Sequence, residues 1–261
     1  MVSERVEARG CLAVIPARYG STRLPGKPLR TLCGKPLIRH VYERAQEVGV
    51  FTDIVVATDC EEIRACVHGF GGRAVMTSSS HRTGTDRVAE VCASFPAPLV
   101  VNIQGDEPMF DVGAVAEMVR RLSDEKNAPV ATLKHRILDR RECDDPNVVK
   151  VVTDTEGYAL YFSRSRIPFA MEAPGSPAID SRGVLCYKHI GIYAFRRDFL
   201  LLYAGLAPTR LEQVERLEQL RILEHGHKIL VLECSEDSVG VDTEEDLKRA
   251  EKILLARGTG R

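Results

Sequence analysis

Four segments of this chain gather residue types that handle phosphates and hard cations. The first is Arg18-Tyr19-Gly20-Ser21-Thr22-Arg23-Leu24-Pro25-Gly26-Lys27-Pro28, at the end of an apolar run. Arg18, Arg23 and Lys27 bring fixed positive charge, Ser21 and Thr22 bring hydroxyl donors, and Gly20 and Gly26 permit close backbone approach. A triphosphate needs that combination of clustered donors and cations. It is not a Walker loop: five residues rather than four separate the glycines, and Pro28 stands where Ser or Thr is required. The same residues also suit a surface turn with incidental charges.

The second segment, Asn102-Ile103-Gln104-Gly105-Asp106-Glu107-Pro108, follows another apolar run. An Asp directly after a buried strand faces the ligand crevice, where it can hold a cation that bridges phosphates. It can also be no more than a turn residue. In the third segment, Gly240–Asp246, Asp242 or Thr243 can cap a helix with an acidic first turn, and Asp242 is a candidate cation ligand besides. The fourth, His81-Arg82-Thr83-Gly84-Thr85-Asp86-Arg87, can read a base edge and a phosphate, or be a solvated loop capped by Thr85 or Asp86.

These segments need strand ends to carry them, and the first half supplies an alternating pattern. Strands are expected at Cys11–Ala17, Asp53–Ala57, Arg73–Met76 and Leu99–Ile103. Helices are expected from Leu37 to Val48 with Gly49 as a C-cap, and at Glu61–Phe70, Val88–Phe95 and Val112–Leu122. That rhythm predicts an α/β fold, a Rossmann-like, doubly wound and mostly parallel sheet with ligands beyond the carboxyl ends of the strands. In the second half, Val148–Thr153 and Ala159–Ser163 flank a turn and read as a hairpin, and Ala173–Gly183 as a Pro/Gly loop or subunit-contact arm. A strand at Ile190–Phe195, an amphipathic helix at Leu211–Glu224, a strand at Lys228–Leu232 and a closing helix at Glu244–Leu255 follow. With no repeat and no clear linker, residues 1–261 read as a single domain. Its parts are a first half at about 11–125 that carries the phosphate-handling loops, a smaller β-rich part at about 126–240, and a closing helix at 241–261.

Composition narrows the function. Lys+Arg at 36 nearly cancels Asp+Glu at 37, which argues against a nucleic-acid footprint but not against a small anionic ligand. The eight cysteines show no C-x-x-C spacing, so reduced thiols in a cytoplasm are expected rather than a zinc site. No signal peptide and no membrane-spanning run is evident.

Taken together, IPARYGSTRLPGKPL, HRTGTDR, VNIQGDEP, ALYFSRSRIP, KHIGIYAF, LEQLRIL and GVDTEEDL occur in one order across roughly residues 11–255. This closely resembles the 3-deoxy-manno-octulosonate cytidylyltransferases, the CMP-Kdo synthetases of Gram-negative lipopolysaccharide synthesis. The resemblance implies transfer of CMP from CTP to the anomeric hydroxyl of Kdo, with Mg2+ as cofactor, in a cytoplasmic homodimer whose 11–125 half binds the nucleotide and whose 126–240 half makes the sugar-binding and dimer contacts. It implies Arg18, Ser21, Lys27, Arg82, Gly84 and Gln104 at the nucleotide, with Lys27, Asp106 and Arg18 catalytic. It also implies Asp106 and Asp242 as metal ligands, and Arg164, His189, Tyr193, Glu212 and Gln104 around the sugar.

The stretch Phe169-Ala170-Met171-Glu172 departs from the family pattern, where an aromatic residue precedes polar and basic ones. Rival expectations are a cytidylyltransferase for another acid sugar, such as amino-Kdo or a sialic acid, and an inactive nucleotide-binding relative. A dinucleotide-binding dehydrogenase is excluded, because no G-x-G-x-x-G follows the first strand.

Overall fold

The computed structural model of the chain describes residues 10–20, 23–81, 83–169, 179–180, 183–184 and 186–258. The strand Cys11–Ala17 is central because its side chains are apolar on both faces. Cys11, Ala13 and Ile15 enter one core layer, and Leu12 and Val14 enter the other. Such two-sided burial explains a continuous apolar run rather than an alternating one. Truncating Ile15 to Ala would cost about 2–5 kcal/mol, the usual range for emptying a closed core position.

Cys11–Ala17 pairs in parallel with Asp53–Thr58 and with Leu99–Asn102, and Arg73–Met76 continues the parallel edge. On the other side the long strand Tyr187–Arg196 runs antiparallel to both Leu99–Asn102 and Val130–Arg136. Ile229–Glu233 closes that edge in parallel with Val130–Arg136. The hairpin Lys150–Thr153/Ala159–Ser163 is present and joins the sheet where Lys150 pairs with Lys188. The architecture is therefore Rossmann-like α/β, with a mostly parallel mixed sheet flanked by helices.

Three features differ from the pattern expected from sequence. Val130–Arg136 forms a central strand although it ends in Lys134-His135-Arg136. The helix expected from Val88 starts at Gly84, where Thr83 accepts a hydrogen bond from Asp86 N–H at 3.2 Å. Leu211–Glu224 is not one helix but two, Arg210–Glu215 and Gln219–Glu224, broken at Arg216 in the left-handed region (φ 54°, ψ 49°). Among the described residues no helix is long and apolar enough to cross a membrane.

Candidate active site

The carboxyl ends of Cys11–Ala17 and Leu99–Asn102 lie side by side, and Ile103 N–H donates to Val14 C=O at 3.0 Å. The two loops that leave them can approach closely because residue 105 is glycine. A Cβ there would lie 2.8 Å from the Pro16 carbonyl oxygen. Gly26, left-handed at φ 64°, turns the first loop back into a short helical turn that presents Lys27. Lys27 Nζ donates to the Asp106 carboxylate and, at 2.9 Å, to Asp242 Oδ1. Val241 N–H donates to the Asp106 backbone carbonyl at 2.9 Å, which fixes the Asp242 segment beside the Asp106 loop.

Capping of the last helix falls to Thr243. Its hydroxyl accepts from Asp246 N–H at 3.1 Å, while the Asp246 carboxylate accepts from Thr243 N–H at 2.9 Å. The Asp242 carboxylate is thereby left to face Lys27 and Arg23, the latter at 3.0 Å. Burial on its own would lift the Asp242 carboxyl pKa, but Lys27 and Arg23 outweigh it and hold the group below its ordinary value. Burial likewise opposes charge on Lys27, and Asp106 and Asp242 overcome it, raising the ammonium pKa.

Around this triad lies a cleft of about 470 Å3, lined by Arg18, Gly20, His81, Gly84, Arg87 and Gln104 among others. Arg18 makes no hydrogen bond or ion pair with any described residue, whereas Arg87 is committed to Asp59 at 2.9 Å. The first turn of the helix Gly84–Ser94 opens on the same cleft, and the positive end of its dipole favours an anion there.

Gly84, Gln104 and Glu218 also line a second, adjoining cleft of about 240 Å3. Its wall includes the rings of His189, Tyr193 and Phe195, with His189 to Tyr193 at 5.3 Å and Tyr193 to Phe195 at 5.8 Å, and the buried Phe162 backs His189 at 5.0 Å. Burial pushes the His189 pKa down from 6.5 to about 3, so the ring is neutral near pH 7. Burial, reinforced by Tyr203 and Glu218, raises the Tyr193 phenol. Arg216 lines this cleft with a guanidinium that bonds to no described residue. The geometry thus offers one polar, cation-rich cleft with a carboxylate pair, beside an aromatic cleft that also carries the Arg216 and Glu218 side chains.

A profile described as cytidylyltransferase matches residues 12–229. The chain belongs to the cytidylyltransferase family. It is 51% identical over 245 residues to the 3-deoxy-manno-octulosonate cytidylyltransferase of Geotalea uraniireducens (strain Rf4), covering 93% of this chain and 96% of that one. Its similarity to the protein of that name from Geotalea daltonii (strain DSM 22248 / JCM 15807 / FRC-32) is 49%, over 94% of this chain and 98% of the relative. Among solved structures, a CMP:2-keto-3-deoxy-manno-octonic acid synthetase complexed with CTP superposes with a TM-score of 0.87 at 42% identity, covering 95% of this chain and 99% of that one. A putative glucose-1-phosphate thymidylyltransferase from Bacillus anthracis shares the fold at a TM-score of 0.65 and 18% identity, over 94% and 95% of the two chains.

Within this family member the structure brings together Arg18, Lys27, Gly84, Gln104, Asp106 and Asp242 in one cleft, with Gln104, His189 and Tyr193 in the next. Ser21 and Arg82 lie outside the described residues, as do positions 170–178 of the divergent segment, and Phe169 just before them is exposed. Arg164 and Glu212 line neither cleft. The Arg164 guanidinium donates to the carbonyls of Glu215 at 2.7 Å, Pro146 at 3.0 Å and Arg216 at 3.4 Å. The buried Glu212 carboxylate is taken by Arg221 and by Thr209 N–H at 3.1 Å. Both residues hold the chain on either side of Arg216 rather than reaching into the cleft. Glu218, Gln219 and Arg216 line it in their stead. The LEQLRIL motif already contains Glu218 and Gln219, but Arg216 precedes it and gives no sequence signal.

Proposed function

We propose that this chain transfers CMP from CTP to the anomeric hydroxyl of 3-deoxy-D-manno-octulosonate, releasing pyrophosphate. The observation that carries the reading is the meeting of Lys27, Asp106 and Asp242 at one point, next to a second cleft of hydroxyl-binding size and chemistry. The anomeric oxygen forms its bond to the α-phosphorus as the bond to the pyrophosphate oxygen breaks. The leaving group departs with that electron pair, and the hydroxyl proton is released. Such chemistry asks the protein mainly for positioning and charge. Lys27 and Arg18 face the phosphates, and the positive dipole end of the helix at Gly84 favours the same anion.

Two carboxylates that converge on a single cation suit a small divalent ion, which takes one or two protein carboxylates and completes its shell with phosphate oxygens and water. Asp106 and Asp242 would hold it, and we propose Mg2+. When bound it would neutralise charge on the phosphates. Arg216, whose guanidinium bonds to no described residue, fits the sugar carboxylate at the aromatic cleft, because the neutral His189 cannot supply that charge.

We further propose a cytoplasmic homodimer. Leu160 on the hairpin and Phe169 are 62% and 79% exposed, an apolar display consistent with a subunit contact beside the 165–185 segment. A light-scattering mass near twice 28.9 kDa is expected, and active enzyme at 28.9 kDa would contradict it. The test of the activity is pyrophosphate release with each nucleoside triphosphate against Kdo, amino-Kdo and a sialic acid. CTP with Kdo should be the fastest pair, and preference for another pair would overturn the assignment.

A further inference from the structure

The long strand Tyr187–Arg196 does not pair evenly with Val130–Arg136. Ile190 stands opposite Leu133, yet the next pair is Tyr193 with Thr132, so Gly191 and Ile192 bulge out of register. Bulges re-aim the side chains beside them. Here those side chains are His189 and Tyr193, both in the aromatic cleft, and the Gln104 amide donates to the carbonyl of Gly191 at 3.4 Å.

One buried hydroxyl serves this bulge. Thr132, with no exposed surface, places Oγ1 3.1 Å from the Ile190 carbonyl oxygen, 2.8 Å from that of Ile192 and 3.0 Å from His189 Nε2. A threonine hydroxyl has one proton to donate and two lone pairs. The two carbonyls can only accept, whereas the imidazole can donate or accept, so giving the proton to a carbonyl makes two hydrogen bonds where giving it to the ring makes one, and the shorter contact to Ile192 is well suited to it. Toward His189 the oxygen can then only accept. Nε2 therefore carries the ring hydrogen, and Nδ1 is left as a lone pair with no partner among the described residues.

We propose that Thr132 is a positioning residue for the sugar acid, which closes the bulge and fixes His189 as the Nε2–H tautomer so that Nδ1 accepts a hydrogen bond from a sugar hydroxyl. The inference deepens the sugar-acid reading above and rests on it for the identity of the ligand. The depressed histidine pKa agrees with it, since a neutral ring has one acceptor nitrogen. The arrangement also separates two tasks in the cleft: a lone pair repels a carboxylate, so His189 reads a hydroxyl and Arg216 takes the acid group.

The test begins on the unaltered enzyme. Nitrogen–proton correlation NMR at neutral pH, with the His189 signals assigned through His189→Gln, should show hydrogen on Nε2. Hydrogen on Nδ1 would overturn the proposal whatever any variant does. Thr132→Val should lose the single tautomer and raise the sugar KM about tenfold, while Kd for CTP stays unchanged. Thr132→Ser should retain both the tautomer and the kinetics. A folded Thr132→Val with the wild-type tautomer and wild-type sugar KM would refute the role. If Thr132→Val does not fold, Thr132→Ser must still keep the tautomer and sugar KM, and its failure to do so counts against the proposal. Wild-type enzyme inactive toward sugar acids would remove the functional reading, while the tautomer result would stand or fall separately.

Discussion

Lys27 Nζ donates to Asp242 Oδ1 at 2.9 Å although 215 residues separate them. The first loop and the start of the last helix are thus joined at the point where Asp106 also arrives. An ammonium held by two carboxylates marks where positive charge is most favourable in the cleft.

Lys27→Ala is expected to reduce kcat/KM by on the order of a hundredfold or more, because charge beside the transferring phosphorus acts mainly in the transition state. Stability should fall only modestly, since Asp106 and Asp242 remain partly solvated and can be screened. Steady-state kinetics and a thermal melt check both parts. Near wild-type turnover would reduce Lys27 to a structural bridge.

For the carboxylate pair, Asp106→Asn and Asp242→Asn should each lower activity by about a hundredfold, on the order of 3 kcal/mol in the barrier. If both residues hold one ion, as proposed, the double variant should be little worse than either single one. Binding of Mn2+, followed by its relaxation signal with CTP present, should weaken in each variant. Full activity in either, or losses that multiply in the double, would show that they share no metal.

Arg164 and Arg216 are expected to differ in kind. Arg216→Gly removes a guanidinium and relieves a non-glycine residue at φ 54° of about 1–2 kcal/mol of backbone strain. Its melting temperature should stay level or rise while the sugar KM increases about tenfold, with CTP unaffected. Arg164→Ala instead exposes three carbonyls that its guanidinium held. It should cost about 2–3 kcal/mol of stability and impair sugar binding only through the displaced Arg216 loop. An Arg216→Gly variant with unchanged sugar KM would contradict the carboxylate assignment.

The buried histidine predicts an acid sensitivity. The His189 pKa falls from 6.5 to about 3 on folding, so between those values the unfolded chain binds the extra proton and acid favours unfolding. Lys134 opposite it on the neighbouring strand, and Tyr193, Glu218 and Arg216 around the cleft, supply no charge that reverses this. Denaturant titrations should show wild type losing about 2 kcal/mol relative to His189→Gln between pH 7 and pH 5. Parallel pH profiles for the two proteins would contradict a neutral buried ring.

Much of this was legible in the residue order, because burial on both faces of a parallel strand forces a continuous apolar run. Cys11–Ala17 and Leu99–Asn102 follow that rule, and the loops after them carry Lys27 and Asp106. Val130–Arg136 escaped notice because its last three residues are basic and half-buried rather than apolar. The break at Arg216 left no trace, since no Gly or Pro marks it and the apolar spacing continues across it. The family resemblance puts Arg164 and Glu212 at the sugar, yet backbone carbonyls and Arg221 take up their hydrogen-bonding capacity. Sequence shows that a polar side chain is available but not which internal group claims it.

In the proposed reaction the sugar's anomeric oxygen attacks the α-phosphorus of CTP. Kdo whose anomeric oxygen has been exchanged with heavy-oxygen water, turned over with CTP and followed by phosphorus NMR, tests it directly. The isotope shift should fall on the single phosphorus of the CMP-sugar, with none on pyrophosphate. Label in pyrophosphate, or an unlabelled CMP-sugar, would contradict it.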